Sequence, residues 1–537
     1  MGAYNNPILP GFNPDPSIVR VGPDYFLVTS TFEYFPGVPI YHSRDLVRWT
    51  LIGHALTRRS QLDVRTPETG GGVWAPTIRH HDGAFYVATA CFDRYRPQAD
   101  EERVWPRGFY VRNEDVWDEG GWSDPVWFDQ VGFDQDLFFD TTTSPTTTTT
   151  YLSTTFRKTP RTLSKDFAIH TSRIHLPTGA ALSPPVLLRS SPTPPGVAEG
   201  SHLFRRGRWL YLFTAEGGTE GGHCEVVCRK EGGVLDGGGE WEVGPTVLGG
   251  GGEGEVERCG HADLVEAADG RWWAVFLGVR RGRGAAGASV FGRETFLVPV
   301  TWVDDWPVFN HGKEVGLVGE AEGLYRLESS PAWRDGFAAQ EKMQLGWYRK
   351  NTPLKEDFSL TERPGHLRLY GGPYTLSTPA CPTLFLRKQT HDPVTWETKL
   401  SFRPDSARTE AGAVVYWNQH TYSSIGIRRA SENGTHGGRI IRVRPAEGET
   451  RDFELKSSTS DVVLTIKSDH GYELGFREEF GLESEVEIQW VGRVSSEAMT
   501  KDPAVGAAFT GMMFGVYAFG ELEQCFAPAD FEYAAFY

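Results

Sequence analysis

The sequence predicts an all-β protein, a five-bladed β-propeller followed by a C-terminal β-sandwich. Three observations carry that prediction. Gly (62) and Pro (34) are abundant in 537 residues, a composition that favours turn-rich β structure over helix bundles. A short aromatic strand pattern recurs with a period near 60 residues. The period stops near residue 320, and alternating strands without it follow.

The repeat is the firmest of the three. Asp24-Tyr-Phe-Leu-Val-Thr-Ser, Gly83-Ala-Phe-Tyr-Val-Ala-Thr, Thr149-Thr-Tyr-Leu-Ser-Thr-Thr, Arg208-Trp-Leu-Tyr-Leu-Phe-Thr and Arg271-Trp-Trp-Ala-Val-Phe-Leu are each short, aromatic and β-prone. Aligning Phe26, Tyr86, Tyr151, Tyr211 and Trp273 gives spacings of 60, 65, 60 and 62 residues. That length suits one four-stranded sheet with its loops, and five such sheets fit a propeller. A polar or aromatic segment precedes each of these strands: Asn13-Pro-Asp-Pro-Ser, Val73-Trp-Ala-Pro, Phe133-Asp-Gln-Asp-Leu, Ala198-Glu-Gly-Ser-His and Gly260-His-Ala-Asp-Leu. If these begin the innermost strands, Asp15, Trp74, Asp134, Glu199 and His261 converge on the propeller axis.

Two low-complexity stretches interrupt the repeat. Thr141 to Thr150 is expected to be a hairpin connection, and the Gly-rich stretch from Gly237 to Gly254 a surface loop. Residues 1–325 are assigned to the propeller, 326–340 to a linker and 341–537 to the sandwich. The sandwich rests on strands such as Thr395-Trp-Glu-Thr-Lys-Leu-Ser-Phe, Ala413-Val-Val-Tyr-Trp and Val486-Glu-Ile-Gln-Trp.

Composition narrows the function. A net charge of −16 argues against nucleic acid or an anionic membrane as partner. Six cysteines lack the paired spacing of a zinc site. The strongest apolar runs, such as Trp272 to Val279, are too short to span a bilayer. The opening residues lack a basic region followed by an apolar one, so an extracellular location is expected only if a signal segment has been removed, and a cytoplasmic one otherwise. The sequon at Asn433 is compatible with secretion.

Two carboxyl groups facing one sugar pocket are the minimum for glycoside hydrolysis. One is protonated to help the leaving oxygen depart, and the other is ionised to activate water or attack. A third beside the acid raises its pKa, because like charges resist joint ionisation. Asp15, Asp134 and Glu199 could fill these roles, although each Asp alone also suits a turn.

At these residues the chain resembles glycoside hydrolase family 43, the β-xylosidases and α-L-arabinofuranosidases. The resemblance runs through NPILPGFNPDPSIVRVG, STFEYFPGVPIYHSRDLVRW, GGVWAP, FDQDLFFD, LFTAEGGTEGGH, GHADLVE and FGRETFLVPVTWVDDWPV. SLTERPGHLRLYG and FTGMMFGVYA look like the sandwich that follows the propeller in xylosidase-like members. The resemblance implies that Asp15 is the general base, Glu199 the general acid, and Asp134 the carboxylate that tunes and orients the acid, with Asp136 a displaced rival. It implies that Phe32 and Trp74 line the sugar subsite, that Arg293 binds substrate, and that His261 is an axial His able to hold a water or a structural Ca²⁺. No other cofactor is required. Phe133 could wall the pocket, and Phe509 could reach it from the sandwich. Ser201 stands where the family has Pro, and the Thr run stands where it has an acidic, Gly-containing turn.

The expected activity is therefore inverting, exo-acting release of α-L-arabinofuranose side chains from plant cell-wall arabinoxylan or arabinan, in the manner of the fungal arabinoxylan-debranching members. The alternatives are a β-xylosidase acting on xylooligosaccharides, a bifunctional enzyme, and a non-catalytic glycan-binding protein. The oligomeric state is left open.

Overall fold

The computed structural model describes residues 2–96, 99, 102–142, 148–158, 166–232, 235, 240–249, 254–282, 289–322, 324, 332–338, 342–430, 438–479, 487–501 and 509–537. The chain divides into two compact units. One comprises Met1–Val64, Gly70–Arg281 and Arg293–Glu328, and the other Arg65–Thr69, Gly282–Gly292 and Ser329–Tyr537.

The first unit is built around five antiparallel sheets, each made of strands that follow closely in sequence. Their innermost strands are Ser17–Val21, Gly72–His81, Phe133–Asp140, Ala198–Arg206 and Val256–Glu266. Each neighbours the next, and the last neighbours the first, so the ring closes. The repeated aromatic segments are the second strands. Side chains alternate along them, which explains why the repeat is apolar on both faces. Phe26 points into the cluster shared with Ile78 and Phe85 of the second blade. Leu27 points into the cluster shared with Val265 and Trp273 of the fifth. Further clusters fill the gaps between blades two and three, three and four, and four and five. The propeller core is therefore five wedges between sheets, and the axis is left to polar groups. The N-terminal strand Gly2–Asn5 pairs antiparallel with Val318–Ala321, and the Asn6 side chain both donates to and accepts from the Leu297 backbone (2.8 and 3.0 Å).

The second unit is a sandwich of an eight-stranded and a six-stranded antiparallel sheet. Trp396 of one sheet stacks on Phe514 of the other, with centroids 6.0 Å apart, at the heart of one large apolar cluster. The expected strands appear as Val394–Ser401, Thr409–Asn418 and Gln489–Ser495. Val486 lies outside the described residues, as do Asn433 and residues 143–147 of the Thr run. The stretch 326–340, expected as a linker, includes the strand Trp333–Asp335, which pairs with the last strand. The Gly-rich stretch, expected as a surface loop, is in part a strand. Glu242–Gly249 forms the fourth strand of the fourth blade, paired with Cys224–Glu231. Backbone pairing at a sheet edge outweighs the low β-propensity of its glycines. Residues 236–239 and 250–253 beside it lie outside the described residues. No described helix is long and apolar enough to cross a membrane.

Candidate active site

The five innermost strands share one backbone irregularity. Asp15 (φ 55°), Ala75 (29°), Asp134 (54°), Gly200 (58°) and His261 (55°) adopt left-handed conformations at corresponding points. In blades two to five the pairing register breaks there, between Trp74 and Thr77, Phe133 and Asp136, Glu199 and His202, and Gly260 and Asp263. Non-glycine residues adopt this conformation only where the surroundings impose it. Trp74 and Glu199 were expected in the ring itself. Each instead sits one residue before its equivalent position, because motif similarity rather than backbone geometry set the alignment.

Contacts join neighbours around this ring. Asp15 is buried, and its Oδ2 accepts from the Ser30 hydroxyl at 2.6 Å. The same Ser30 oxygen accepts the Ala75 N–H at 2.7 Å, bridging to the second blade. Trp74 packs edge-on against Phe133 (5.8 Å), the residue before Asp134. Asp134 Oδ2 accepts the N–H of Gly200 at 2.9 Å. Gly200 lies flat against His261, where a Cβ would come within 2.9 Å of the ring. His261 Nδ1 lies 3.6 Å from Asp15 Oδ1, which closes the circle.

The electrostatics separate the carboxyls. Burial first, then the charges of Glu199 and Asp15, push the Asp134 carboxyl well above the usual range. Repulsion between Asp134 and Glu199 is mutual, so the pair holds on to a proton that two isolated carboxylates would lose. Glu199 itself is half-buried. Arg293 donates from Nη1 to Asp15 Oδ1 (3.2 Å) and to Thr219 Oγ1 (3.0 Å), and its guanidinium lies 5.5 Å from the Phe32 ring centre. Burial drives His261 down to about 3 and His223 to about 4, so both imidazoles are neutral at ordinary pH.

The predicted aromatics divide by position. Phe32 and Val73 exchange backbone hydrogen bonds at 2.9 Å. This is possible because Gly72 (φ 91°) lacks the Cβ that would strike the Phe32 carbonyl at 2.0 Å. Trp74 donates from Nε1 to the Gly70 carbonyl (2.8 Å) and meets Tyr95 at 4.5 Å. Phe133 is almost fully buried among Trp105, Phe92 and Phe167. Phe509 belongs to the other unit, beside Thr510, whose carbonyl accepts from Trp417 Nε1 (2.9 Å). Asp136 turns away from the ring: it is fully buried, 2.8 Å from Arg79 Nη2, and its Oδ2 accepts the Leu203 N–H at 2.9 Å.

Sequence reading missed Ser30, Thr219 and Tyr95. Ser30 and Thr219 lie inside quoted motifs, but hydroxyl residues are common in strands and carry little signal. Tyr95 was visible only as one aromatic among many, yet Glu199 is among the charges that raise its phenol.

A buried carboxyl coupled to a second one, so that the two resist joint ionisation, with a third paired to an arginine, is acid–base equipment that a simple glycan binder does not need. The fold and site define a glycoside hydrolase. The chain belongs to glycosyl hydrolase family 43, whose model matches residues 4–307. The beta xylosidase C-terminal concanavalin A-like domain matches residues 334–537. The chain is 34% identical to a non-reducing end alpha-L-arabinofuranosidase of Bacteroides ovatus, over 99% of this chain and 94% of that protein. It is 31% identical to a xylosidase/arabinosidase of Humicola insolens, over 99% and 97%. A xylan beta-1,4-xylosidase from Bacillus halodurans superposes with a TM-score of 0.87 at 31% identity, over 99% of both chains. Similarity is thus not confined to the fungal debranching type.

Proposed function

We propose that this chain is an inverting, exo-acting hydrolase that releases α-L-arabinofuranose from the non-reducing ends of arabinoxylan or arabinan side chains. Glu199 protonates the departing glycosidic oxygen. Asp15 takes a proton from the attacking water on the opposite face of the sugar. Asp134 keeps Glu199 supplied with a proton and orients it. An inverting pair needs a gap of about 6.5–9.5 Å for that water, and Asp15 and Glu199 come from the first and fourth blades, which are not adjacent. Arg293 and Ser30 fix the Asp15 carboxylate, while Phe32 and Trp74 offer apolar faces to the sugar ring.

The observation that carries this reading is the hydrogen bond from Gly200 N–H to Asp134 Oδ2 (2.9 Å). It ties the carboxyl coupled to Glu199 to the residue after Glu199, so the group that tunes the acid also sets its place. Arabinose is preferred because a relative aligned over nearly the whole chain is a non-reducing end arabinofuranosidase. The second reading, a β-xylosidase, is favoured by the Bacillus halodurans structure. The test is monosaccharide release from wheat arabinoxylan and from xylobiose, with the anomer followed by NMR. Arabinose of inverted configuration supports the first reading. Xylose alone replaces it with the second, and retained configuration overturns the water-mediated mechanism.

A further inference from the structure

A second ring lies two residues further along the innermost strands: Ser17, Thr77, Asp136, His202 and Asp263, one from each blade and all buried. Arg79, from the second blade, reaches into it and touches the other four blades. Its Nη2 lies 2.8 Å from Asp136 Oδ1 and donates to His202 Nδ1 at 3.0 Å. Its Nη1 donates to Asp263 Oδ2 at 2.8 Å and to Ser17 Oγ at 3.2 Å. Asp263 Oδ2 also accepts from the Ser17 hydroxyl (2.7 Å) and the Ile18 N–H (3.1 Å). Because a guanidinium can only donate, His202 Nδ1 is the acceptor in that bond.

The resemblance allowed a structural Ca²⁺ at the axis near His261; the carboxylate beside His261, Asp15, is already paired with Arg293, and the ring below does not fit one either. Ca²⁺ takes six to eight oxygens at about 2.3–2.6 Å. The two axial carboxylates that could supply its charge are already held by a guanidinium, which would repel a divalent ion at the same place. Among the described residues no group of three or more His, Cys, Asp or Glu side chains could hold a metal. The planar fork of Arg79 satisfies acceptors on four blades at once, a geometry that an ammonium cannot copy.

We infer that Arg79 is the built-in cation of this propeller: it closes the axis in place of a metal and positions the catalytic ring from below. Ser17, Asp136 and Asp263 each follow a member of the upper ring by two residues, and His202 follows Glu199 by three. Fixing the lower ring therefore fixes the bends on which Asp15, Asp134, Glu199 and His261 sit. Arg79 touches no substrate in this arrangement; it is a positioning residue. The inference rests on the catalytic reading of the upper ring only for its activity readout.

The test combines metal removal with substitution at Arg79. Wild-type protein stripped with EDTA is expected to keep its kcat and thermal midpoint, with no gain from added CaCl₂. Arg79→Ala is expected to lose kcat on the order of 100-fold, the scale of an ångström-sized misplacement, with KM little changed and a lowered midpoint. The Arg79 side chain is 16% exposed, so the emptied slot is open to small solutes. Millimolar guanidinium chloride is expected to restore much of kcat and raise the midpoint of the variant, but not of the wild type. Arg79→Lys, which keeps the charge without the fork, is expected to fall between the two and serves if the Ala variant does not fold. Loss of wild-type activity in EDTA with recovery in Ca²⁺ overturns the inference, as does an Arg79→Ala variant with wild-type kcat and midpoint, or one whose losses guanidinium leaves untouched. If the wild type cleaves neither arabinosides nor xylosides, the midpoint measurements still decide the axial question separately.

Discussion

Asp134 Oδ2 accepts the backbone N–H of Gly200 at 2.9 Å, so a carboxyl on the third blade grips the peptide that carries the acid on the fourth. Burial, then Glu199 and Asp15, raise the Asp134 pKa, and the coupling runs both ways. An Asn at 134 can still accept from Gly200 through its amide oxygen but carries no charge. Asp134→Asn is therefore expected to lower kcat by about 10²- to 10³-fold with a small change in KM. It should also move the alkaline limb of the pH–rate profile to lower pH, because Glu199 loses the neighbouring negative charge that held its proton. A pH–kcat profile checks this; an unmoved limb removes Asp134 from the tuning role.

Glu199→Gln removes the proton donor while preserving shape. The loss should scale with how much the leaving group needs that proton. Hydrolysis of arabinoxylan is expected to fall by about 10³-fold or more, and that of a nitrophenyl arabinofuranoside, whose phenolate departs unaided, by much less. Calorimetric binding of arabinose-decorated oligosaccharide should persist. Equal losses on both substrates would place the acid elsewhere.

The fold was largely legible in the sequence because each blade repeats the same burial problem. Phe26, Tyr86, Tyr151, Tyr211 and Trp273 mark the second strand of every sheet, each packed between blades. The ring carboxyls were legible because they sit in distinctive segments. Arg79 was not. Its role depends on acceptors from four other blades, and nothing in Thr-Ile-Arg-His distinguishes an axial arginine from one on a solvated strand end. The fourth strand of blade four was hidden for another reason. Its neighbours are glycines, and composition points to a loop where edge pairing makes a strand. The one-residue offset of Trp74 and Glu199 is a backbone property that side-chain patterns do not report.

Gly200 has φ 58°, and a Cβ there would lie 2.9 Å from the His261 ring. Gly200→Ala adds left-handed strain and crowds the His261 imidazole. The combined effect is expected to destabilise the propeller by about 1–3 kcal/mol. It should also reduce kcat, since the shifted peptide is the one Asp134 grips. Differential scanning calorimetry with steady-state kinetics checks both; a wild-type midpoint would mean that the ring yields freely.

Two buried imidazoles set an acid limit on stability. Burial holds His223 at about 4 and His261 at about 3 in the folded chain, against about 6.5 when unfolded. The folded values are depressed, so the unfolded chain binds these protons first. The stability is fully present above about pH 6.5 and is lost as pH falls toward the folded values. By pH 5 each histidine should have withdrawn about 2 kcal/mol. Urea unfolding at pH 7.5 and pH 5 is expected to show that drop, and His223→Asn to reduce it, since an amide can still donate to the Arg258 carbonyl that His223 bonds at 2.8 Å. A pH-independent midpoint over this range would mean that the imidazoles are charged or exposed in the folded state.

Arg293 joins three parts of the site, with Nη1 on Asp15 Oδ1 (3.2 Å) and Thr219 Oγ1 (3.0 Å) and its plane near Phe32. A lysine can keep the charge near Asp15, but it cannot present a flat guanidinium to Phe32 while bonding both oxygens. Arg293→Lys is expected to lower kcat/KM by about 10- to 100-fold, with both kcat and KM affected, because the same group orients the base and borders the sugar. Thr219→Val removes only one of the two anchors and is expected to cost less than tenfold. The ordering of the two variants is the decisive comparison. If Thr219→Val is as damaging as Arg293→Lys, the hydroxyl and not the guanidinium governs the position of Asp15.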